Sequence, residues 1–289
     1  MEFWIIFAFA SAIFAGLTAV LAKIGLKGVD SNLATALRTI VVLAFAWAVV
    51  FIVGSQTTIS DISSRTLLFL ILSGLATGAS WLCYFRAIQI GEVSKVAPID
   101  KSSTVLTMIL AFIFLGEGLS TGIVLGMIFM IAGTYLMIQK NSSDMESPSN
   151  RKAWIFYACL AAIFAALTSI LAKVGMEDVE SNLGTAIRTI VVLLMAWAIV
   201  FAQKKHKEVK NLDRNNWIFI TLSGIATGAS WLCFFYALQN GPASIVVPID
   251  KLSILVTVIF AFLILKEKIS KRAAIGLMIL TIGTLMLLL

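Results

Sequence analysis

The chain consists of two copies of one unit, and the unit holds an odd number of membrane-length apolar segments. Residues 11–51 read SAIFAGLTAVLAKIGLKGVDSNLATALRTIVVLAFAWAVVF, and residues 161–201 read AAIFAALTSILAKVGMEDVESNLGTAIRTIVVLLMAWAIVF. From Leu72, LSGLATGASWLCYFRAIQIGEVSKVAPIDK returns as LSGIATGASWLCFFYALQNGPASIVVPIDK from Leu222. The offset is 150 residues throughout, and the register never slips. A repeat of this kind dictates architecture before any local signal does.

Each unit divides into five apolar runs. The first set is Phe3–Ala22, Leu33–Val53, Thr66–Ile90, Val93–Leu115 and Thr121–Gln139; the second is Ala153–Ala172, Leu183–Ala202, Asn216–Gln239, Ala243–Leu265 and Ala273–Leu289. Most are near the roughly 20 residues that a spanning helix needs, and too long for strands of a barrel, which run about 9–11 residues. A tandem module with an odd number of spans re-enters the bilayer from the opposite side, so its second copy lies upside down. Secondary transporters recur in this form, with the substrate site at the repeat interface near the midplane. The expected fold is an all-α integral membrane protein of ten transmembrane helices arranged as two inverted five-helix repeats. Residues 1–139 form the first repeat, 140–152 a polar linker, and 153–289 the second repeat.

Composition excludes the alternatives. At 60% hydrophobic and 13% charged, with a mean hydropathy of +1.00, the chain is far more apolar than soluble domains, which hold about 45–50% apolar and roughly 25% charged residues. The net charge of +7 reads as cytoplasmic loop bias and not as a nucleic-acid surface. Cys83, Cys159 and Cys233 lie inside apolar runs and read as core hydrophobes. The single histidine, His206, sits in a Lys-rich loop, so no metal site is expected. No GxxxxGK[ST], HExxH or GxSxG motif occurs, so neither an ATPase nor an enzyme is expected, and no cofactor. Met1-Glu2-Phe3-Trp4 has no basic region or cleavage site, so the first run reads as a retained helix.

Loop charge supports inversion independently. Between the second and third runs, Arg65 is the only basic residue, whereas the matched loop carries Lys204, Lys205, Lys207, Lys210 and Arg214. The loop Gly116–Ser120 has no cation; its counterpart has Lys266, Lys268, Lys271 and Arg272. By the positive-inside bias, both termini lie outside. Ser31 and Ser181 are expected to cap the second and seventh helices, and Trp4, Trp154 and Trp217 to anchor at the interfaces.

Ionisable and polar groups within apolar helices are functional candidates by default. Asn32, Thr35 and Arg38, with Asn182, Thr185 and Arg188, form a stripe at a spacing of three, which keeps them on one helix face. Substrate contact and a structural tie are equally open to each arginine. Pro98-Ile-Asp100-Lys101 and Pro248-Ile-Asp250-Lys251 open the fourth and ninth helices, where a proline frees a carbonyl beside a cavity. Each aspartate and its lysine neighbour point about 100° apart, so at least one needs a partner elsewhere, such as Asp100 with Arg38 or Lys251. A salt-bridge lock is favoured for the aspartates over a proton carrier, because cations outnumber them. That excess of positive charge favours a substrate bearing a carboxylate or phosphate. Lys23 and Lys173 read as solvated or bound to helix C-terminal carbonyls. Trp81 and Trp231 follow the Gly74-x-x-x-Gly78 and Gly224-x-x-x-Gly228 packing motifs and fall deep enough either to stack on substrate or to fill the bundle. Arg86 and Glu92 have no match in the second unit, where Tyr236 and Pro242 stand; Glu117 and Glu267 read as solvated loop residues.

With these residues in hand, the chain resembles the EamA family of the drug/metabolite transporter superfamily. The duplicated five-helix unit, Pro98 and Pro248, Leu115-Gly-Glu117 with Leu265-Lys-Glu267, and Gly126, Gly133, Gly276 and Gly283 carry the likeness. The resemblance implies a multi-pass carrier of the cell membrane with a central cavity, moving small metabolites such as amino acids, often coupled to protons. It also implies cytoplasmic termini, against the loop charges. The Asp-Lys pair after each proline is not part of the resemblance. The expected partners are a small-molecule substrate, a coupling proton and the lipid bilayer, with no nucleic acid. A channel or uniporter is the alternative, and monomer or homodimer stays open.

Overall fold

The computed structural model describes residues 3–25, 28–90, 99, 102–137, 148–265 and 271–287. Among the described residues all regular structure is helical, with no strand. The first unit contributes α1 (Phe3–Gly25), α2 (Ser31–Val53), α3 (Ser64–Ile90), α4 (Ser103–Leu115) and α5 (Thr121–Met137). The second contributes α6 (Pro148–Gly175), α7 (Ser181–Ala202), α8 (Arg214–Asn240), α9 (Ala243–Lys251), α10 (Ser253–Leu265) and α11 (Lys271–Met286). Seven stretches are long and apolar enough to cross a bilayer, and three shorter apolar helices, Ser103–Leu115, Thr121–Leu136 and Ala274–Met286, accompany them. Their outward faces carry large apolar side chains such as Phe3, Ile13, Phe51, Ile128 and Leu194. Such a girdle needs lipid against it. The chain is a multi-pass membrane protein.

One local expectation is corrected. The helix caps are Asp30 and Glu180, one residue before the serines. The Asp30 carboxylate accepts from the amides of Asn32 and Leu33, and the Glu180 carboxylate from Asn182 and Leu183. A carboxylate at this position also meets the positive end of the helix dipole. Trp4 and Trp154 are buried against protein. The Trp4 ring packs on Gly241 so closely that a Cβ there would lie 2.5 Å from it. Trp217 is exposed. Cys159 is also exposed, facing outward among apolar side chains, while Cys83 and Cys233 are half-buried. The loops after α2 and α7 each fold into a 3₁₀ helix, Ser55–Asp61 and Lys205–Asn211.

Matched helices of the two units run antiparallel where they meet. Asn32, at the start of α2, donates to the Gln203 side chain just past the end of α7, 2.7 Å away. In α5 and α11, Gly126 meets Gly283 and Leu287, whereas Gly133 meets Gly276 and Leu280. A Cβ at Gly133 would lie 2.5 Å from the Leu280 amide nitrogen, so this crossing needs glycine on both helices. The remaining contacts exchange symmetrically: α1 packs on α8, α3 on α6 and α2 on α7. Two faces result. One carries Lys173, the end of α8 and the start of α9; the other carries Asp30, Gln203 and Lys205. Helix α7, 22 residues long, spans the roughly 33 Å between them at 1.5 Å per residue.

The ninth apolar run is broken. Pro248 lies inside α9 and leaves the Ser244 carbonyl without its helical donor. One turn later the helix stops: the Leu252 amide donates to the Ile249 carbonyl at 2.9 Å, and the Leu255 amide to the Leu252 carbonyl at 2.8 Å. Asp250 and Lys251 therefore close a short helix and do not open a long one. The same tight step recurs in the first unit, where the Ser102 amide donates to the Ile99 carbonyl. Pro98, Asp100 and Lys101 lie outside the described residues.

Candidate functional site

Arg188 is the most deeply buried ionisable group among the described residues, at 2% exposure. It stands seven residues into α7, where the α3 backbone comes close because Gly74 carries no side chain: a Cβ there would lie 3.2 Å from the Arg188 carbonyl. Its Nε donates to Ser73 Oγ at 2.8 Å and its Nη2 to Thr77 Oγ1. The guanidinium lies over Phe235 at 4.5 Å and Trp231 at 5.4 Å. Aromatic faces attract a cation but cannot neutralise it. Its Nη1 is buried without a hydrogen-bond partner, and among the described residues no carboxylate pairs with it.

Arg38 occupies the matched place on α2 and behaves differently. It is half-buried and makes no hydrogen bond or ion pair among the described residues. The Gly224 crossing beneath it is the same, since a Cβ on Gly224 would lie 3.1 Å from the Arg38 carbonyl. Yet Ser223, the equivalent of Ser73, turns away, and Thr227, which makes the same bonds to its own helix and to a neighbouring threonine as Thr77 does, accepts from no guanidinium among the described residues. Ser223 Oγ donates to the Ile220 carbonyl, and Thr227 Oγ1 to the Ser223 carbonyl and toward Thr18.

Asp250 is bound by a hydroxyl from the other unit. Ser11 Oγ donates to Asp250 Oδ1 at 2.6 Å and lies 3.2 Å from Ser230 Oγ, which in turn donates to the Ser11 carbonyl. Its cationic neighbour is Lys251, with Nζ 4.0 Å from Oδ2. Among the described residues no ion pair ties Asp250 to another helix: the flexible lysine stem reaches back from the helix end, and Arg188 is held elsewhere. The position matched to Ser11 is Ala161, which has no hydroxyl.

The polar stripe divides by depth. Asn32 is buried and its amide holds Gln203; the Asn182 amide folds back onto Glu180. Thr35 and Thr185 return their hydroxyls to the Ser31 and Ser181 carbonyls. Trp231 is half-buried beside Arg188, and Trp81 is half-buried against Leu33, Leu37 and their neighbours. Pro248 is buried.

One functional residue escaped the sequence. Glu117 is not a free loop group: its carboxylate accepts from the Ala243 amide at 2.7 Å and the Ser244 amide at 2.8 Å, across the units, at the start of α9. Beside it, Lys173 Nζ donates to the Gly241 carbonyl at 2.6 Å, past the C-terminus of α8. Gln239 ties the same corner to the Met176 and Val179 carbonyls. A cavity of about 540 Å³ lies here, lined by Glu117, Lys173, Glu177, Arg65 and the 240–242 turn. This face is therefore bolted. On the opposite face Lys205 pairs with Glu208 at 2.7 Å and stands 3.8 Å from Asp30. The Glu208 hydrogen bond and charge, with Asp30 adding less, hold that ammonium above the usual lysine pKa. Among the described residues no cluster of His, Cys, Asp and Glu could hold a metal ion.

Similarity to known proteins points the same way. The model of the EamA-like transporter family matches residues 2–139 and again 152–289. An "Uncharacterized transporter in cobO 3'region" from a Sinorhizobium species is 48% identical over 134 residues, which make up 46% of this chain and 95% of that protein. Its whole length therefore corresponds to about one unit. An "Uncharacterized transporter" of Archaeoglobus fulgidus is 25% identical over 229 residues, 79% of this chain and 78% of its own. A solved chain described as "Crystal structure of protein" is similar with a TM-score of 0.78 at 15% identity, covering 98% of this chain and 95% of that one. At that identity the likeness concerns the fold alone.

Proposed function

The chain belongs to the EamA-like transporter family, and from that premise we propose that it is a secondary active transporter working by alternating access. Its cargo is a small metabolite bearing a carboxylate or phosphate, such as an amino acid. Ten transmembrane helices, as two inverted repeats of residues 1–139 and 153–289 joined by a polar linker, rock about a site between them. The antiparallel meeting of α2 with α7 and of α5 with α11 supports this arrangement. The Lys205 face, with its basic loops, is cytoplasmic, and the membrane is the cell membrane.

The observation that carries the substrate class is the pair of intramembrane arginines without a carboxylate partner among the described residues. A buried unpaired cation is costly, and an anionic solute between the units lowers that cost. Arg38, half-buried and without a hydrogen bond among the described residues, is the guanidinium available in this conformation, with Trp81 and Trp231 as apolar walls. Asp250, carrying a hydroxyl donor and a weak cation, is the group placed to exchange a coupling proton.

The test is uptake into proteoliposomes loaded and presented with a panel of amino acids, short carboxylates and phosphate esters, with and without a pH gradient. The expected result is saturable accumulation of at least one anionic-group solute, driven above equilibrium by the gradient and abolished by Arg38→Ala in protein that still reaches the membrane. Flux that never exceeds equilibrium identifies a channel or uniporter. Full activity in Arg38→Ala overturns the site.

A further inference from the structure

We infer that Arg38 and Arg188 take turns in two equivalent buried seats, one arginine seated and the other free in each conformation of the transport cycle. The inference rests on the alternating-access reading and adds to it the element that switches.

The seat is visible once, and its residues occur twice in the sequence. Around Arg188 it consists of Ser73 and Thr77, which accept from Nε and Nη2, and the faces of Trp231 and Phe235. At the offset of 150 residues the chain places Ser223 and Thr227 on α8 and Trp81 and Phe85 on α3, the same four residue types in the same order. The backbones that bring an arginine to its seat are already equivalent. The Cβ that Gly74 lacks would lie 2.7 Å from Val191, and the one that Gly224 lacks 2.7 Å from Val41. The two arginine carbonyls stand at 3.2 and 3.1 Å from these positions. Among the described side chains the difference lies in Ser223 and the arginine: Thr227 keeps the bonds that Thr77 also makes, to its own helix and to a threonine of the neighbouring one, whereas Ser223 has turned onto its own helix and Arg38 is out. An arginine can enter the second seat by rotamer changes without moving the helix crossing.

Energetics favour exchange over double occupancy. Seating both guanidinium groups seals two cations fully without a carboxylate, whereas exchanging them leaves one at a time less deeply buried than the other. The two conformations then remain close in free energy, as a two-state carrier requires. The occupied seat also belongs to the bolted face. Arg188 lies on the helix that begins there, and the α8–α9 corner is held by Glu117 and Lys173. The free arginine belongs to the helix that begins at the opposite face, so a solute anion meets one guanidinium at a time.

The test uses the full-length chain with Cys83, Cys159 and Cys233 replaced by alanine, and Thr35→Cys or Thr185→Cys as a reporter one turn before each arginine. Thr35 is half-buried and Thr185 fully buried. Labelling rates with a membrane-impermeant methanethiosulfonate are measured in right-side-out and inside-out vesicles, and no solute is needed. Without seat substitutions, the Thr35→Cys reporter labels faster. Ser73→Ala with Thr77→Val empties the occupied seat and lowers the ratio of the two rates about tenfold or more, the scale of one charge-assisted hydrogen bond. Ser223→Ala with Thr227→Val moves the ratio the opposite way. Single Ser73→Ala and Ser223→Ala variants give the same signs if a double variant is poorly produced. Ratios that stay put, or that move together, overturn the exchange. An exchange seen in protein that transports none of the panel would defeat the anion-carrier reading alone; transport with static ratios would defeat the exchange alone.

Discussion

Helices α2 and α7 share most of their residues, an acidic cap and the same crossing over a glycine, yet their arginines live in opposite environments. Arg188 is sealed between two hydroxyls and two aromatic rings; Arg38 has no bonded partner among the described residues. The contrast separates two levels of symmetry. Backbone packing repeats because it depends on small residues, and those are duplicated. Side-chain placement does not repeat, and on the proposed alternating-access reading a carrier resting in one conformation treats its two faces unequally. A few unmatched residues sharpen the inequality: Ser11 against Ala161, Arg86 against Tyr236, and Glu92 against Pro242.

The largest break in the comparison should come from Arg188→Lys. An ammonium cannot keep both fork-like bonds to Ser73 and Thr77, and hydrogen bonds to charged groups are each worth about 1.5–3 kcal/mol. A clear fall in the detergent melting temperature is expected, while Arg38→Lys, which forfeits no bond among the described residues, stays within about 0.5 kcal/mol of the parent. Equal losses in the two would mean that Arg38 is held as firmly as Arg188. Gly74→Ala and Gly224→Ala probe the level at which symmetry holds. Each forces a methyl to within 2.7 Å of a valine Cβ, overpacking that costs about 1–3 kcal/mol, and the two variants should melt together. A gap between them would show that the crossings only look alike.

Caps come next. Asp30→Ala and Glu180→Ala should each cost about 1 kcal/mol. Glu117→Ala removes the acceptor for two α9 amides and should cost about 0.5–2 kcal/mol by the same reasoning, and it should also raise the labelling of cysteines placed at the Lys173 face. Unchanged accessibility there would show that Glu117 is a cap without being a bolt. Ser11→Ala takes one hydroxyl from Asp250 and should cost as much as a cap, about 1 kcal/mol. Ala161→Ser gives the matched position the donor it lacks, and a pH profile of uptake that shifts only in the Ser11 variant would tie the coupling proton to the second unit.

Much of this is readable from the residues in order. The repeat, the apolar runs and the candidate arginines follow from residue type and spacing, since burying a helix in lipid demands long apolar stretches and makes any charge within them conspicuous. What escapes such reading is long-range. Glu117 reads as an exposed acid in a Gly-rich loop, because nothing near it in sequence announces two free amides 126 positions away. The aspartates read as partners for the arginines because both are charged; in space, Ser11 reaches Asp250 first. Even the caps shift by one residue, since serine and a preceding acid are both good caps and only geometry selects between them.

The amino-acid order alone settled that this is a duplicated, membrane-embedded helical chain of the EamA-like family, because periodic apolarity and internal identity are local properties of the string. Tertiary structure decided which of two matched arginines is sealed and which has no bonded partner among the described residues, and which side chains tie the units at each face. Those outcomes depend on distances between residues of different units, and two near-identical sequences carry no information about which copy a given conformation favours.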